Sequence, residues 1–343
     1  MKTATISDIA RIAGVSKSTV SRVMTGNSFV EESKKTRILK AIDDTGYVPK
    51  LAAQSLRGRS TQTIGVILNL DPDYHFSDYV SMETLRGISS SGQKLGFRIS
   101  VIIEPCTQAL PKILRDRSVD GVIVMGLKEK EEALFSLSEA GGSPIPIVLL
   151  NYSEEYKTFP SVSFDNEENA YDFAMYMISM GHEDIGLIDS SEDVLAVTNR
   201  KNGIRRALKD SGIVYNPEWY FGYSNIEKME AGKEAATSFM KLDKKPSVVM
   251  ASEDDIALSF IAGITSMGLR VPEDVSVVGV DDIPMSKYSN PPLTTEKVEG
   301  YRRGLMAFRM LKALLDGAEL KEKHIQIRSV IVERDSLKKI IKR

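Results

Sequence analysis

The chain has 343 residues, with 45 Lys/Arg against 47 Asp/Glu and 42% hydrophobic side chains, a length that exceeds one small core and points to two or three domains. Such a mix excludes collagen-like, low-complexity and largely disordered chains, and the lack of any run of about 18 apolar residues excludes a membrane span. A single cysteine, Cys106, excludes an internal disulfide, and Asp8 stands where a secretory leader needs its apolar run, so a reducing cytoplasm is expected.

Charge is unevenly placed. Residues 1–60 hold 11 Lys/Arg and 5 Asp/Glu, which leaves a net −8 on the rest. A basic head on an acidic body suggests that the head meets a polyanion. Thr5-Ile6-Ser7-Asp8 has capping-box spacing, and Ile6, Ile9 and Ile12/Ala13 follow on one helical face. Gly14-Val15 breaks that helix, and Ser16 caps a second one running to about Met24. On it Val20, Val23 and Met24 share an arc, with Lys17, Ser18, Ser21 and Arg22 opposite. Two short helices around a glycine turn, the second with a polar, basic strip, describe a helix-turn-helix. A third helix over Glu31–Thr45 offers Ile38, Leu39 and Ile42 to the core. Any three-helix bundle meets that much of the pattern.

Gly46-Tyr47-Val48-Pro49 ends the bundle, and Lys50–Arg57 follows, closed by Gly58. Eight residues are too few to hold a helix alone in water. The segment reads either as a plain linker or as a hinge helix that forms when pinned by DNA and a partner copy, with Leu56 wedged between base steps in the minor groove.

Ile6-Ser7-Asp8-Ile9-Ala10, Ala13-Gly14-Val15-Ser16, Thr19-Val20-Ser21-Arg22-Val23 and Gly46-Tyr47-Val48-Pro49 together resemble the DNA-binding head of the lac/gal repressor family. The resemblance implies that Lys17 and Ser18 read bases, that Arg22 reaches bases or phosphates, and that Leu56 is the minor-groove lever. It likewise implies that Ser16, Thr19 and Ser21 set register on phosphates.

From Thr63 short apolar runs alternate with helical stretches: strands at 64–68, 98–103, 121–124, 147–150, 185–188, 248–251 and 275–280. Helices are expected at 79–95, 109–117, 130–140, 167–180, 202–211, 228–242 and 255–267. This is an α/β pattern of parallel sheets covered on both faces. Two Rossmann-like lobes are expected, 61–160 with 293–325 and 161–292, behind a head of 1–46 and a hinge of 47–60.

Ligands of open α/β sheets sit at the carboxyl ends of strands. Those ends carry Tyr74 and Phe76, Asn151, Glu253 and Asp281, with Arg200 and Tyr223 nearby. Carboxylates, an amide and an arginine around aromatic rings suit a polyhydroxylated ligand. Asp165, Asp254 and Asp282 read as helix caps or surface residues, and His75, His182 and His324 as surface or capping groups. No Walker loop, nucleophile elbow or dinucleotide fingerprint is present, so no catalytic residue, cofactor or metal ligand is expected.

Gly181-His182, Arg200 to Gly203, Val277–Asp282 and Pro292-Leu293-Thr294-Thr295 are similar to that family's periplasmic-binding-protein-like regulatory body. The resemblance implies that Arg200 and Asp281 grip an effector, that Tyr223 stacks on it, and that Asn151 makes a polar contact. Glu253 departs from an Asn-Asp pattern and Val298 from a frequent Gln, which leaves the effector's identity open. The implied function is a ligand-responsive repressor that binds double-stranded operator DNA as a homodimer and is released by a small sugar or oligosaccharide. A catabolite-control-type regulator that needs a phosphoprotein partner is the alternative. The tail after Ser336 leaves no room for the heptads of a tetramer-forming coil.

Overall fold

The computed structural model describes residues 4–24, 30–45, 47, 60–69, 76, 78–127, 131–190, 195–224 and 227–341. It divides into two compact units, Met1–Thr61 and Gln62–Arg343. The hinge segment 48–59, with Leu56, and the loop residue Tyr74 lie outside the described residues.

In the first unit α1 spans Ile6–Ala13, α2 Lys17–Met24 and α3 Glu32–Thr45. The capping box forms as the sequence predicts: Asp8 N–H donates to Thr5 Oγ1 at 3.4 Å, and Thr5 N–H donates to Asp8 Oδ2 at 2.9 Å. Gly14 ends α1 at φ +65°, a left-handed cap that glycine adopts without steric cost. Ser16 Oγ accepts from Thr19 N–H at 3.2 Å and so caps α2. Ile9, Ala10, Ala13, Val20, Ile38 and Ala41 form the core. Ile12 and Leu39, expected inside, are exposed. Each lies off the buried arc of its helix, which Ile9, Ala10 and Ala13 form in α1 and Ile38 and Ala41 in α3.

The second unit runs β1 (Thr63–Leu68), α4 (Tyr79–Lys94), β2 (Arg98–Ile102), α5 (Cys106–Asp116), β3 (Gly121–Met125), α6 (Glu132–Glu139), β4 (Ile147–Leu149) and β5 (Ser161–Phe164). It continues with α7 (Asn166–Ser179), β6 (Ile185–Ser190), α8 (Leu195–Asp210), β7 (Tyr220–Tyr223), α9 (Lys228–Met240), β8 (Val248–Ala251), α10 (Asp254–Ser266) and β9 (Ser276–Asp281). Last come β10 (Thr294–Lys297), α11 (Gly300–Leu315), β11 (His324–Ile327) and β12 (Val330–Val332). Two sheets result, ordered β11-β5-β4-β3-β1-β2 and β12-β10-β9-β8-β6-β7. Every pairing is parallel except β10 with β12. β3 and β9 are buried along their whole length, as strands covered by helices on both faces must be.

Two lobe assignments need correction. Ser161–Phe164, expected to open lobe two, pairs with β4 and β11 in the first sheet. Leu293–Val298, expected in lobe one, supplies β10, which pairs with β9 in the second. The chain therefore crosses between lobes after β5, between β10 and α11, and between β11 and β12. With β11, α11 returns to lobe one as expected. It packs so closely on α4 that a Cβ on Gly304 would lie 2.1 Å from the carbonyl oxygen of Thr84.

Candidate functional site

Where the strand ends of the two sheets face each other lies a cavity of about 110 Å³. Lobe one contributes Asp78, Asn151, Phe164 and Arg303, and lobe two contributes Arg200, Glu253, Asp281 and Glu296. Four residues singled out in the sequence thus meet at one place: Asn151, Arg200, Glu253 and Asp281. Phe76 is exposed and does not line this cavity. Tyr223 packs on the core of lobe two with its hydroxyl 3.4 Å from Ser252 Oγ, one residue before Glu253. Burial holds its phenol well above the usual range, so it is a neutral hydroxyl beside the cavity wall.

Local structure explains how the charged groups converge. Asp78 caps α4, its Oδ2 accepting from Ser81 N–H at 2.7 Å. Lys228 opens α9, and its Nζ lies 3.4 Å from Asp78 Oδ1 while also pairing with Glu253, the residue before α10. Acceptor atoms of Asp78, Glu253 and Asp281 lie within 4.8 Å of one another. Three carboxylates so close repel strongly, and Lys228 and Arg200 supply the counter-charge. Burial, and then the charges of Asp78 and Glu253, push the Asp281 carboxyl well above the usual carboxylate range. Burial also raises Glu253 and Glu296. Lys228 stays charged: burial opposes its charge, but Glu253 and Asp78 outweigh it and hold the ammonium above its usual range.

Asp281 sits at φ +114° and its neighbour Asp282 at φ +54°, both uncommon for residues with a side chain. Such strain persists only where surroundings enforce it, and it gathers at ligand clamps. Asp282 is held by Arg334 at 2.5 Å, which fixes the turn that aims Asp281. On the lobe-one side the Arg303 guanidinium lies over Phe164, 4.2 Å from the ring centroid, and donates to Thr84 Oγ1 at 2.9 Å.

Asp78, Phe164, Lys228, Glu296 and Arg303 were missed in the sequence. Asp78 follows β1 and precedes an apolar-periodic helix, a cap signal that would have found it. Phe164 ends β5, where strand-end logic applies equally. Lys228, Glu296 and Arg303 carry no local signal. Other readings need revision. Asp254 is fully buried, neither a cap nor a surface group; it accepts from Ser286 Oγ, Thr295 Oγ1 and Ile283 N–H at 2.5, 2.5 and 3.0 Å. Asp165 precedes α7 but makes no capping bond, pairing instead with Arg328 at 3.2 Å. His182 is buried between Ser247 Oγ and the Lys338 carbonyl, and burial lowers its pKa, so it is a structural neutral imidazole. Among the described residues no histidine or cysteine lines the cavity. Carboxylate acceptors and cationic donors line it beside the ring of Phe164.

In the first unit Ser16, Lys17, Ser18 and Arg22 are exposed on α2, with Thr19 and Ser21 half-buried. Ser16 Oγ contacts Ser18 Oγ at 2.7 Å and Thr19 Oγ1 at 2.8 Å, which pre-orders the start of α2. Lys17, Ser18 and Arg22 thus face outwards as expected, whereas Ser21, expected on the same strip, is half-buried.

Residues 5–50 match the bacterial regulatory proteins of the lacI family, and residues 174–337 match a periplasmic-binding-protein-like domain. The chain is 31% identical to the HTH-type transcriptional repressor PurR of Vibrio campbellii, over 98% of this chain and 99% of that protein. It is 34% identical to the HTH-type transcriptional regulator RegA of Clostridium saccharobutylicum, over 96% and 98%. Among solved structures, the lac repressor dimer bound to operator and the anti-inducer ONPF matches with a TM-score of 0.81 and 25% identity, over 98% of this chain and 100% of that one.

Proposed function

Since the chain belongs to the lacI family of bacterial regulatory proteins, we propose that this transcriptional regulator is a homodimeric, cytoplasmic repressor released from a pseudo-palindromic operator by a small sugar or oligosaccharide. Support comes chiefly from one observation: Arg200, Asp281, Asn151 and Glu253 converge on one cavity between the lobes. Arg200 and Asp281 grip ring hydroxyls from lobe two, Asn151 adds an amide from lobe one, and Phe164 offers an apolar face for the ring. Effector contacts made from both lobes favour the closed cleft, and only that differential affinity shifts the equilibrium.

On the DNA side Lys17 and Ser18 read bases, Arg22 reaches bases or phosphate, and Ser16, Thr19 and Ser21 fix register. Leu56 is the minor-groove lever. A two-fold pair of heads matches the symmetry of a pseudo-palindromic site.

The test is release of the purified full-length protein from DNA fragments it has itself selected, followed by anisotropy while sugars are added singly. Release by a sugar with no second protein present is the expected result. A requirement for a phosphoprotein would shift the reading to the catabolite-control type, and an absence of any sugar response would remove the saccharide assignment.

A further inference from the structure

A second cavity, of about 410 Å³, adjoins the first and shares Asn151, Phe164 and Asn166 with it. It lies over the ends of β4, β5 and β11, with α8 contributing from lobe two. Its lining differs in kind from that of the inner chamber. Among the described residues, the side-chain amides of Asn151, Asn166, Asn199 and Gln326 are not engaged in a hydrogen bond. Ser163 is 2% exposed, and its Oγ has no hydrogen-bond partner among the described residues.

The carboxylates at the same place are already engaged in ion pairs with the protein's own cations, three cations shared among four of them. Asp165 pairs with Arg328 at 3.2 Å, Glu167 and Glu168 with Arg206 at 2.9 and 2.5 Å, and Glu154 with Lys157 at 2.5 Å. What remains for a ligand is a set of neutral groups, each able to donate and accept. A buried hydroxyl and uncommitted carboxamides match the dual donor–acceptor character of sugar hydroxyls better than they match a charged ligand. Tyr152, held edge-on against His324 at a centroid distance of 4.9 Å, adds an apolar surface.

We propose that this outer cavity is a second saccharide subsite, so that the effector has at least two sugar rings. One ring is held by Arg200 and Asp281, and the next by Asn199, Gln326 and Ser163. This proposal rests on the saccharide reading above and narrows it to glycosides.

Calorimetric titration of the full-length protein with cellobiose, maltose and lactose, and with glucose and galactose, tests it. At least one disaccharide should bind ten-fold or more tightly than each of its constituent monosaccharides. The N199A/Q326A variant should lose that advantage and keep monosaccharide affinity. Asn199 is half-buried and Gln326 exposed, so the variant should fold, and Q326A alone gives a milder version of the same loss. Equal affinity for disaccharide and monosaccharide, or no effect of N199A/Q326A on the disaccharide, would overturn the subsite while leaving a saccharide effector in place. Binding of none of the five sugars would overturn the subsite, and the release assay with further sugars decides the saccharide reading separately.

Discussion

Lys228 and Asp78 form an ion pair across the cleft, Nζ to Oδ1 at 3.4 Å, with each side chain about nine-tenths buried. Lys228 belongs to lobe two and Asp78 to lobe one, so the two lobes are tied together by side chains of the chain itself. Replacing Lys228 leaves Asp78 and Glu253 without their shared cation, a loss that costs about 3–5 kcal/mol for a buried pair, whereas replacing Asp78 leaves Lys228 on Glu253 and breaks only the tie to lobe one. Opening the cleft hydrates the carboxylates left without Lys228 and relieves that cost.

Lys228→Gln and Asp78→Asn are therefore expected to shift the body towards an open cleft. Small-angle scattering should report a larger radius of gyration for either variant. The double variant should show a coupling of about 1–3 kcal/mol in a thermodynamic cycle. Unchanged dimensions in both single variants would show that the pair does not hold the lobes.

Asp281 invites a substitution that separates function from stability. Its backbone sits at φ +114° and its carboxyl is buried among other acids. Glycine relaxes the backbone and removes the buried acid, so Asp281→Gly should raise the melting temperature, by about 1 kcal/mol of stability or more, while abolishing the effector response. Arg200→Ala should abolish the response too, without unfolding the protein. A normal response in either variant would move the effector site away from this cavity.

Most body elements were legible because parallel strands buried on both faces are nearly continuous apolar runs, and these fell within a few residues of their observed bounds. β7, β11 and β12 were not. They are three or four residues long with half-exposed side chains, which resembles loop sequence. Assigning β5 and β10 to lobes failed for a different reason: sheet membership is set by which distant strand pairs, and periodicity is silent on that. In the site, acceptors at strand ends could be named from topology alone. Lys228 could not, since its role arises from Asp78 and Glu253, which lie 150 and 25 positions away.

The exposed face of α2 makes a graded prediction for DNA binding. Lys17→Ala should cost about 1–3 kcal/mol and relax preference at one base step, as loss of a base contact does. If Arg22 contacts phosphate, Arg22→Ala should weaken binding uniformly across sequences and lower the salt-dependence slope by about one. Thr5→Ala removes the α1 cap and should destabilise the head by about 1 kcal/mol. Binding measured at several salt concentrations on matched and mismatched sites separates these effects.

Asp254 should leave a signature in the pH dependence of stability. Burial pushes its carboxyl up to about 7, against the opposing effect of hydrogen bonds from Ser286, Thr295 and Ile283. Gly279 packs against it so closely that a Cβ there would sit 2.2 Å from Asp254 Oδ1, which leaves no room for water. Between the unfolded value, 3.8, and about 7 the native state holds a proton that the unfolded chain has released. Stability contributed by this group is thus full at low pH and declines as pH rises through that window, at up to about 1.4 kcal/mol per pH unit. Asp254→Asn cannot titrate. Denaturant unfolding from pH 5 to pH 7 should show the wild-type protein losing stability more steeply than Asp254→Asn, whatever the variant's absolute stability. Parallel curves for the two proteins would mean that Asp254 is ionised throughout and that its three donors outweigh its burial.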